Sequence, residues 1–179
     1  MLPIQADSAL TALSTGIRFS TDDGRRGTGA AAMVTMGGMT DISAETAENE
    51  PLVTDELIEQ RVRAIVGRAC RRQVWMLFLD EDDVQIPLIL PMADYPPFPG
   101  EGNAAVFAAR VSEIVEVAGA ARVIFVWERY AGEQLTSTER AWARELQKAC
   151  LSEGVQVRAQ VLSHKRGVRW MAPEDYLEL

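Results

Sequence analysis

The sequence predicts an α/β (α+β) fold in which helices flank one mixed β-sheet, with elements in the order α-β-β-α-β-α-β-β. Three observations carry that expectation. QVWMLFLD (73–80) and RVIFVWER (122–129) are apolar almost throughout and of strand length, the mark of strands buried on both faces. Around them, apolar residues recur at helical spacing behind residues that cap helices. VQVRAQVL (155–162) alternates apolar with polar residues, as a half-buried strand does.

Residues 1–52 are rich in Gly, Ala, Thr and acids, with few large apolar groups. Such a segment buries little surface against its ordering entropy, so a flexible or loosely docked arm is expected there. LTALSTGIRF and AAMVTMGGM are the pieces within it able to order by docking. GRRGTG lacks the GxxxxGK[ST] spacing of a phosphate loop and reads as a linker. A single domain is expected over 53–179.

Thr54 caps the first helix, with Ile58, Val62, Ile65, Val66 and Ala69 inward and Glu59 and Arg63 as an outer i,i+4 pair. After the first strand, Glu81, Asp82 and Asp83 make an acidic turn and VQIPLILPM (84–92) returns. Pro87 has no N–H to donate, which places this strand at an edge or puts a bulge in it. The loop DYPPFPGEGN is stiffened by its prolines, and Asn103 caps the next helix, buried through Phe107, Val111, Ile114, Val115 and Ala118. Gly119 ends that helix. Thr136 and Glu139 form a capping box for the helix that buries Trp142, Leu146, Ala149 and Cys150, and Gly154 stops it. GVRWM (167–171) pairs back across the turn at His164–Arg166.

At 179 residues the chain can bury a core without staples. A net charge of -8 opposes sequence-independent binding to nucleic acid, which needs a positive footprint. Arg68, Arg71 and Arg72 form a local basic cluster that reads as a solvated helix end. Cys70 and Cys150 fall late in expected helices, where a thiol packs as a small hydrophobe, and no CxxC pair suggests a redox or zinc site. MLPIQADSAL has neither the basic start nor the apolar run of a secretory signal, and no apolar stretch approaches the roughly 20 residues of a membrane span. A cytoplasmic protein without membrane contact is expected.

His164 is the only histidine, so one chain cannot build a multi-histidine zinc site; before Lys165 and Arg166 it reads as an exposed turn residue. Asp80, Glu81, Asp82 and Asp83 lack the EF-hand spacing and read as a solvated turn. No GxSxG elbow is present, and neither cysteine has a base nearby in sequence. No catalytic residue, metal ligand or cofactor is therefore assigned. The junction of Trp127, Glu128 and Arg129 has two readings. Glu128 could act as a general acid or base with a pKa raised by desolvation, with Arg129 binding an anion. Alternatively, strand alternation sends one of them to solvent while Trp127 packs in the core. Trp75, Trp127 and Trp170 read as core. Tyr95 and Phe98, in the proline-rich loop, form either a contact surface or a cover for the edge at Pro87.

On these residues the stretch from Gln73 to Met171 resembles the JAB/MPN metalloprotease fold, and within it the RadC-like branch. VWMLFLDEDD looks like that family's strand ending in LD and its hairpin, and AAVFAARVSEIVEVAGAARVIFV like its helix and strand. LTSTERAWARELQKACLSEGVQVRAQVLSH looks like its last helix and strand. The family carries HNHPSG where this chain has WERYAG (127–132). Trp127 and Arg129 thus stand at the places of the metal-binding histidines, Ser137 near the motif serine and Arg140 at the metal-binding aspartate. Indole and guanidinium cannot replace imidazoles on zinc, so the resemblance implies a degenerate, non-catalytic member. The chain is also similar to uncharacterised actinobacterial proteins with a WERxG…RAWA…LLSH…VRWL-like pattern.

Two functions are expected to compete. The first is a non-enzymatic domain that contacts an unknown protein partner, or a second copy of itself, through Tyr95 and Phe98 or through the acidic arm. The second is a small-ligand binder or metal-independent enzyme using Asp80, Glu128 and Arg129 at the strand ends.

Overall fold

A computed structural model describes residues 49–100 and 102–177, which belong to the unit Ile42–Leu179. LTALSTGIRF, AAMVTMGGM and GRRGTG lie outside the described residues, as does most of the arm. Helix α1 spans Asp55–Val66, strands β1 and β2 span Gln73–Leu79 and Gln85–Ala93, and α2 spans Asn103–Ala118. Strand β3 covers Arg122–Glu128, α3 Ser137–Ser152, β4 Gln156–His164 and β5 Gly167–Trp170. A short helix α4, Pro173–Tyr176, closes the described chain. The fold is mixed α/β with one open sheet, as the sequence indicates; α4, a single turn, was not expected.

The strands lie in the order β2-β1-β3-β4-β5, antiparallel except for the parallel pair β3–β4, whose crossover is α3. β1 and β3 are central, so their apolar runs face packed layers on both sides. On one face, Val74, Phe78, Val123, Phe125 and Trp127 pack against α2 and α3. On the other, Leu77, Leu79, Ile124, Val126 and Val161 pack against Ile58 and Val62 of α1. Leu52 is buried in that second layer, where Arg158 donates to its carbonyl and to that of Val53.

β2 is an edge strand, and its register jumps from Ile89 to Gln85 while β1 advances from Leu77 to Leu79. Pro87 therefore sits in a bulge on an edge, where a missing N–H interrupts least. Thr54 and the Thr136–Glu139 box cap α1 and α3 as expected. Gly119 and Gly154 take left-handed φ values of 65 and 74 to end α2 and α3.

Several local expectations are corrected. Asn103 is the first residue of α2 rather than its cap; Gly102, at φ 82, holds the capping position. Glu59 reaches inward and accepts the backbone N–H of Trp170 at 3.0 Å, instead of pairing outward with Arg63. α1 ends at Gly67, so Arg68, Arg71 and Arg72 lie in the loop beyond it and do not decorate a helix end. Cys70 lies in the same loop and is exposed. Cys150 is buried as expected, and desolvation helps push its thiol up to about 12, which leaves it inert. Among the described residues, no helix is long and apolar enough to cross a membrane.

Candidate functional site

The WERYAG corner lies where β3 ends beside β4 and the chain turns towards α3. Strand alternation sends Trp127 and Glu128 to opposite faces of the sheet, and both are buried. Neither goes to solvent, because Tyr95 and Trp142 of α3 pack on Trp127 while the loop after α1 and Trp75 close over Glu128.

Glu128 lies in a row of buried polar residues formed by register, Gln73 on β1, Glu128 on β3 and Ser163 on β4. Its Oε1 accepts the backbone N–H groups of Cys70 at 2.7 Å and Arg71 at 3.4 Å. Its Oε2 accepts Trp75 Nε1 at 2.8 Å and the Gln73 amide. Desolvation pushes this carboxyl up, but the donors of Cys70, Gln73, Trp75 and Arg71 outweigh it, and the pKa is lowered. The raised value expected from burial is thus corrected: Glu128 is an ionised anchor for the loop after α1. Gln73 Oε1 and Ser163 Oγ, beside it, have no hydrogen-bond partner among the described residues.

On the other face, Trp127 donates from Nε1 to Gln160 Oε1 at 3.0 Å, and Gln160 donates onward to the Ala143 carbonyl at 3.0 Å. Arg129 closes the corner. Its Nε and one terminal nitrogen grip the Glu139 carboxylate, while the guanidinium also donates to the carbonyls of Gly132 at 2.7 Å and Gln134 at 2.6 Å. Glu139 serves twice, since its Oε2 also accepts the Thr136 N–H at 2.7 Å in the capping box. Four of the five donors that a guanidinium offers are spent in this way, so Arg129 is a structural clasp rather than a free anion receptor.

Tyr95 is corrected from contact surface to core. Its ring meets Trp127 at 5.8 Å and Trp142 at 5.6 Å, both edge to face. The Arg72 guanidinium lies 3.6 Å from the centre of the Tyr95 ring and donates to the carbonyls of Tyr95 at 2.6 Å and Pro96 at 2.9 Å. Trp142 Nε1 donates to the same Pro96 carbonyl at 2.9 Å. The loop is thereby fixed from beneath, and Phe98 remains 59% exposed on its outer side.

Between these groups lies a cleft of about 230 Å³. Arg72, Tyr95, Trp127 and Trp142 form its aromatic and cationic walls, and the first turn of α3 contributes Thr136, Thr138 and Glu139. Of the residues expected at a site, the structure brings Tyr95, Trp127 and Arg129 to this cleft. Ser137 and Arg140 sit on the same turn of α3 but are exposed and outside the lining. Asp80 lies at the β1–β2 turn, where its carboxylate accepts the N–H groups of Asp82 and Val84, both at 2.9 Å. It is a turn-former.

His164 is buried rather than exposed, and its Nδ1 accepts the Arg166 N–H at 3.3 Å. Desolvation lowers its pKa; Glu133 opposes this, while Arg129, Arg166 and Arg169 reinforce it. Sequence reasoning missed Arg72 and Trp142 as partners of the loop. The hairpin register was the available signal for Arg72: Gln73 faces Ala93, which brings Arg72 within one position of Tyr95 just past the strand ends. Among the described residues, no group of three or more His, Cys, Asp or Glu side chains is placed to hold a metal ion. No protein-family model matches the chain, and no curated protein matches it either.

Proposed function

We propose that the chain is a non-catalytic domain of JAB/MPN-like, RadC-like descent that acts in the cytoplasm as a protein-interaction module. The observation that carries this reading is the chemistry of the WERYAG corner. The Trp127 indole is buried with its N–H spent on Gln160, and Arg129 is closed on Glu139. An indole N–H only donates and a guanidinium is a fixed cation, so neither fits a zinc ion at the places where the resembling family would hold one. A rigid, exposed feature is what a contact surface needs. The loop around Phe98 supplies one, being pinned by Arg72 and Trp142 on its inner side.

The full chain, incubated with zinc and desalted, should carry far less than one ion per molecule and cleave neither peptide nor isopeptide bonds. A partner captured from native extract and rebuilt from purified components should lose about tenfold or more in affinity with Phe98→Asp, as for an exposed aromatic anchor. One tightly held zinc per chain, or metal-dependent cleavage, overturns the proposal.

A further inference from the structure

We propose that the cleft at the C-terminal end of β3 binds a carboxylate carried on a small planar or apolar body, with Arg72 as its charged contact. The inference stands apart from the protein contact at Phe98, and either can fail without the other.

The donor count decides which arginine can act. Arg129 has spent four of its five donors and is neutralised by Glu139. Arg72 donates to two carbonyls and stacks on Tyr95, and forms no salt bridge among the described residues. Of its five N–H groups, three stay uncommitted, and its charge is unneutralised in a protein whose net charge is -8. The ring stacking and the two carbonyls fix the guanidinium plane in advance, so little side-chain entropy is lost when a ligand docks.

Size and charge narrow the ligand. A volume of about 230 Å³ lies below the range of ordinary drug-sized pockets, so the part of a ligand held inside is one ring or a short side chain. Tyr95, Trp127 and Trp142 line the cleft but are only 8%, 1% and 2% exposed, so they offer a narrow apolar margin that suits a small apolar or planar body. A guanidinium with uncommitted N–H groups can pair with the two oxygens of a carboxylate. A phosphate dianion would bring more negative charge beside the Glu139 carboxylate in the same wall, and among the described residues the other cation lining the cleft, Arg129, is committed to Glu139. Thr138, in the first turn of α3, adds a hydroxyl and lies at the positive end of the helix dipole.

The test is a titration of the full chain at neutral pH, following the indole resonances of Trp127 and Trp142. Benzoate should shift both in a saturable way, in the low-millimolar range expected of so small a ligand, and at least fivefold more tightly than its neutral isostere benzamide. Arg72→Gln should remove that preference. Because Arg72 also anchors the loop, Thr138→Leu serves as the second variant: it narrows the cleft with Arg72 in place and should weaken benzoate at least fivefold at an unchanged melting temperature. A phenylalanine-terminated peptide, with its C-terminus free or amidated, identifies the source. Tighter binding of the free form assigns the carboxylate to a protein chain end, whereas binding of benzoate alone assigns it to a free small acid. Benzamide binding as tightly as benzoate, phenyl phosphate binding more tightly than benzoate, or no saturable shift with benzoate overturns the proposal.

Discussion

Glu128 and His164 are both buried at the same end of the sheet, and both have lowered pKa values. For Glu128 the folded state releases its proton more readily than the unfolded chain. Its contribution is therefore full above the ordinary carboxylate range and is lost as pH falls through the folded value. For His164 the folded state resists protonation, because a charged ring would be desolvated and would lose its Nδ1 as acceptor for Arg166. Stability should thus begin to fall once the pH drops below the ordinary histidine value, and fall more steeply in the carboxylate range. Glu128→Gln should cost about 2–3 kcal/mol at neutral pH, since its amide group turns donors on donors. It should also remove the lower step, while His164→Gln should remove the upper one. Urea midpoints recorded from about pH 7 to about pH 3 check this, and a Glu128→Gln curve parallel to that of the native chain would refute it.

Among the elements, α3 concentrates the most roles in one turn. Thr136→Ala should cost about 1 kcal/mol, the usual value of an N-cap. Glu139→Ala should cost more, roughly 2–4 kcal/mol, because it removes half of the capping box and leaves the Arg129 guanidinium, 15% exposed, without its carboxylate. Thermal unfolding monitored by far-UV circular dichroism distinguishes the two, and equal losses would mean that the Arg129 pair contributes nothing. The elements themselves were largely legible in the sequence. The runs of β1 and β3, the capping residues Thr54 and Thr136 and the glycines 119 and 154 each act within a few positions of themselves. Glu128 was legible as buried but not as satisfied, because its donors lie 55 and 58 residues away at Gln73 and Cys70. Tyr95 was misread for a similar reason: a proline-rich loop shows no period, and the two tryptophans that bury it come from β3 and α3.

For the whole molecule, the question is what the edges of an open sheet offer to another strand. β5 is short, and Glu59 of α1 occupies the N–H of Trp170 at its end. β2 is nine residues long and pairs with nothing on its outer side among the described residues. Pro87 and Pro91 remove two donors from it, a device that blunts edges against strand addition. Replacing both with threonine should leave the chain folded and shift it towards larger species than the native chain forms, read by light scattering after gel filtration. A double variant whose mass at high concentration equals that of the native chain would show that something else guards this edge.

The setting of Glu128 also carries a consequence for ionic conditions. Its ionised oxygens are held by dipoles, two from the main chain and two from neutral side chains, and among the described residues no salt bridge holds them for dissolved ions to compete against. Surface pairs such as Arg110 with Glu113 weaken as salt is added, because mobile ions screen them. The strut beneath the loop after α1 should keep its strength from dilute buffer to concentrated brine.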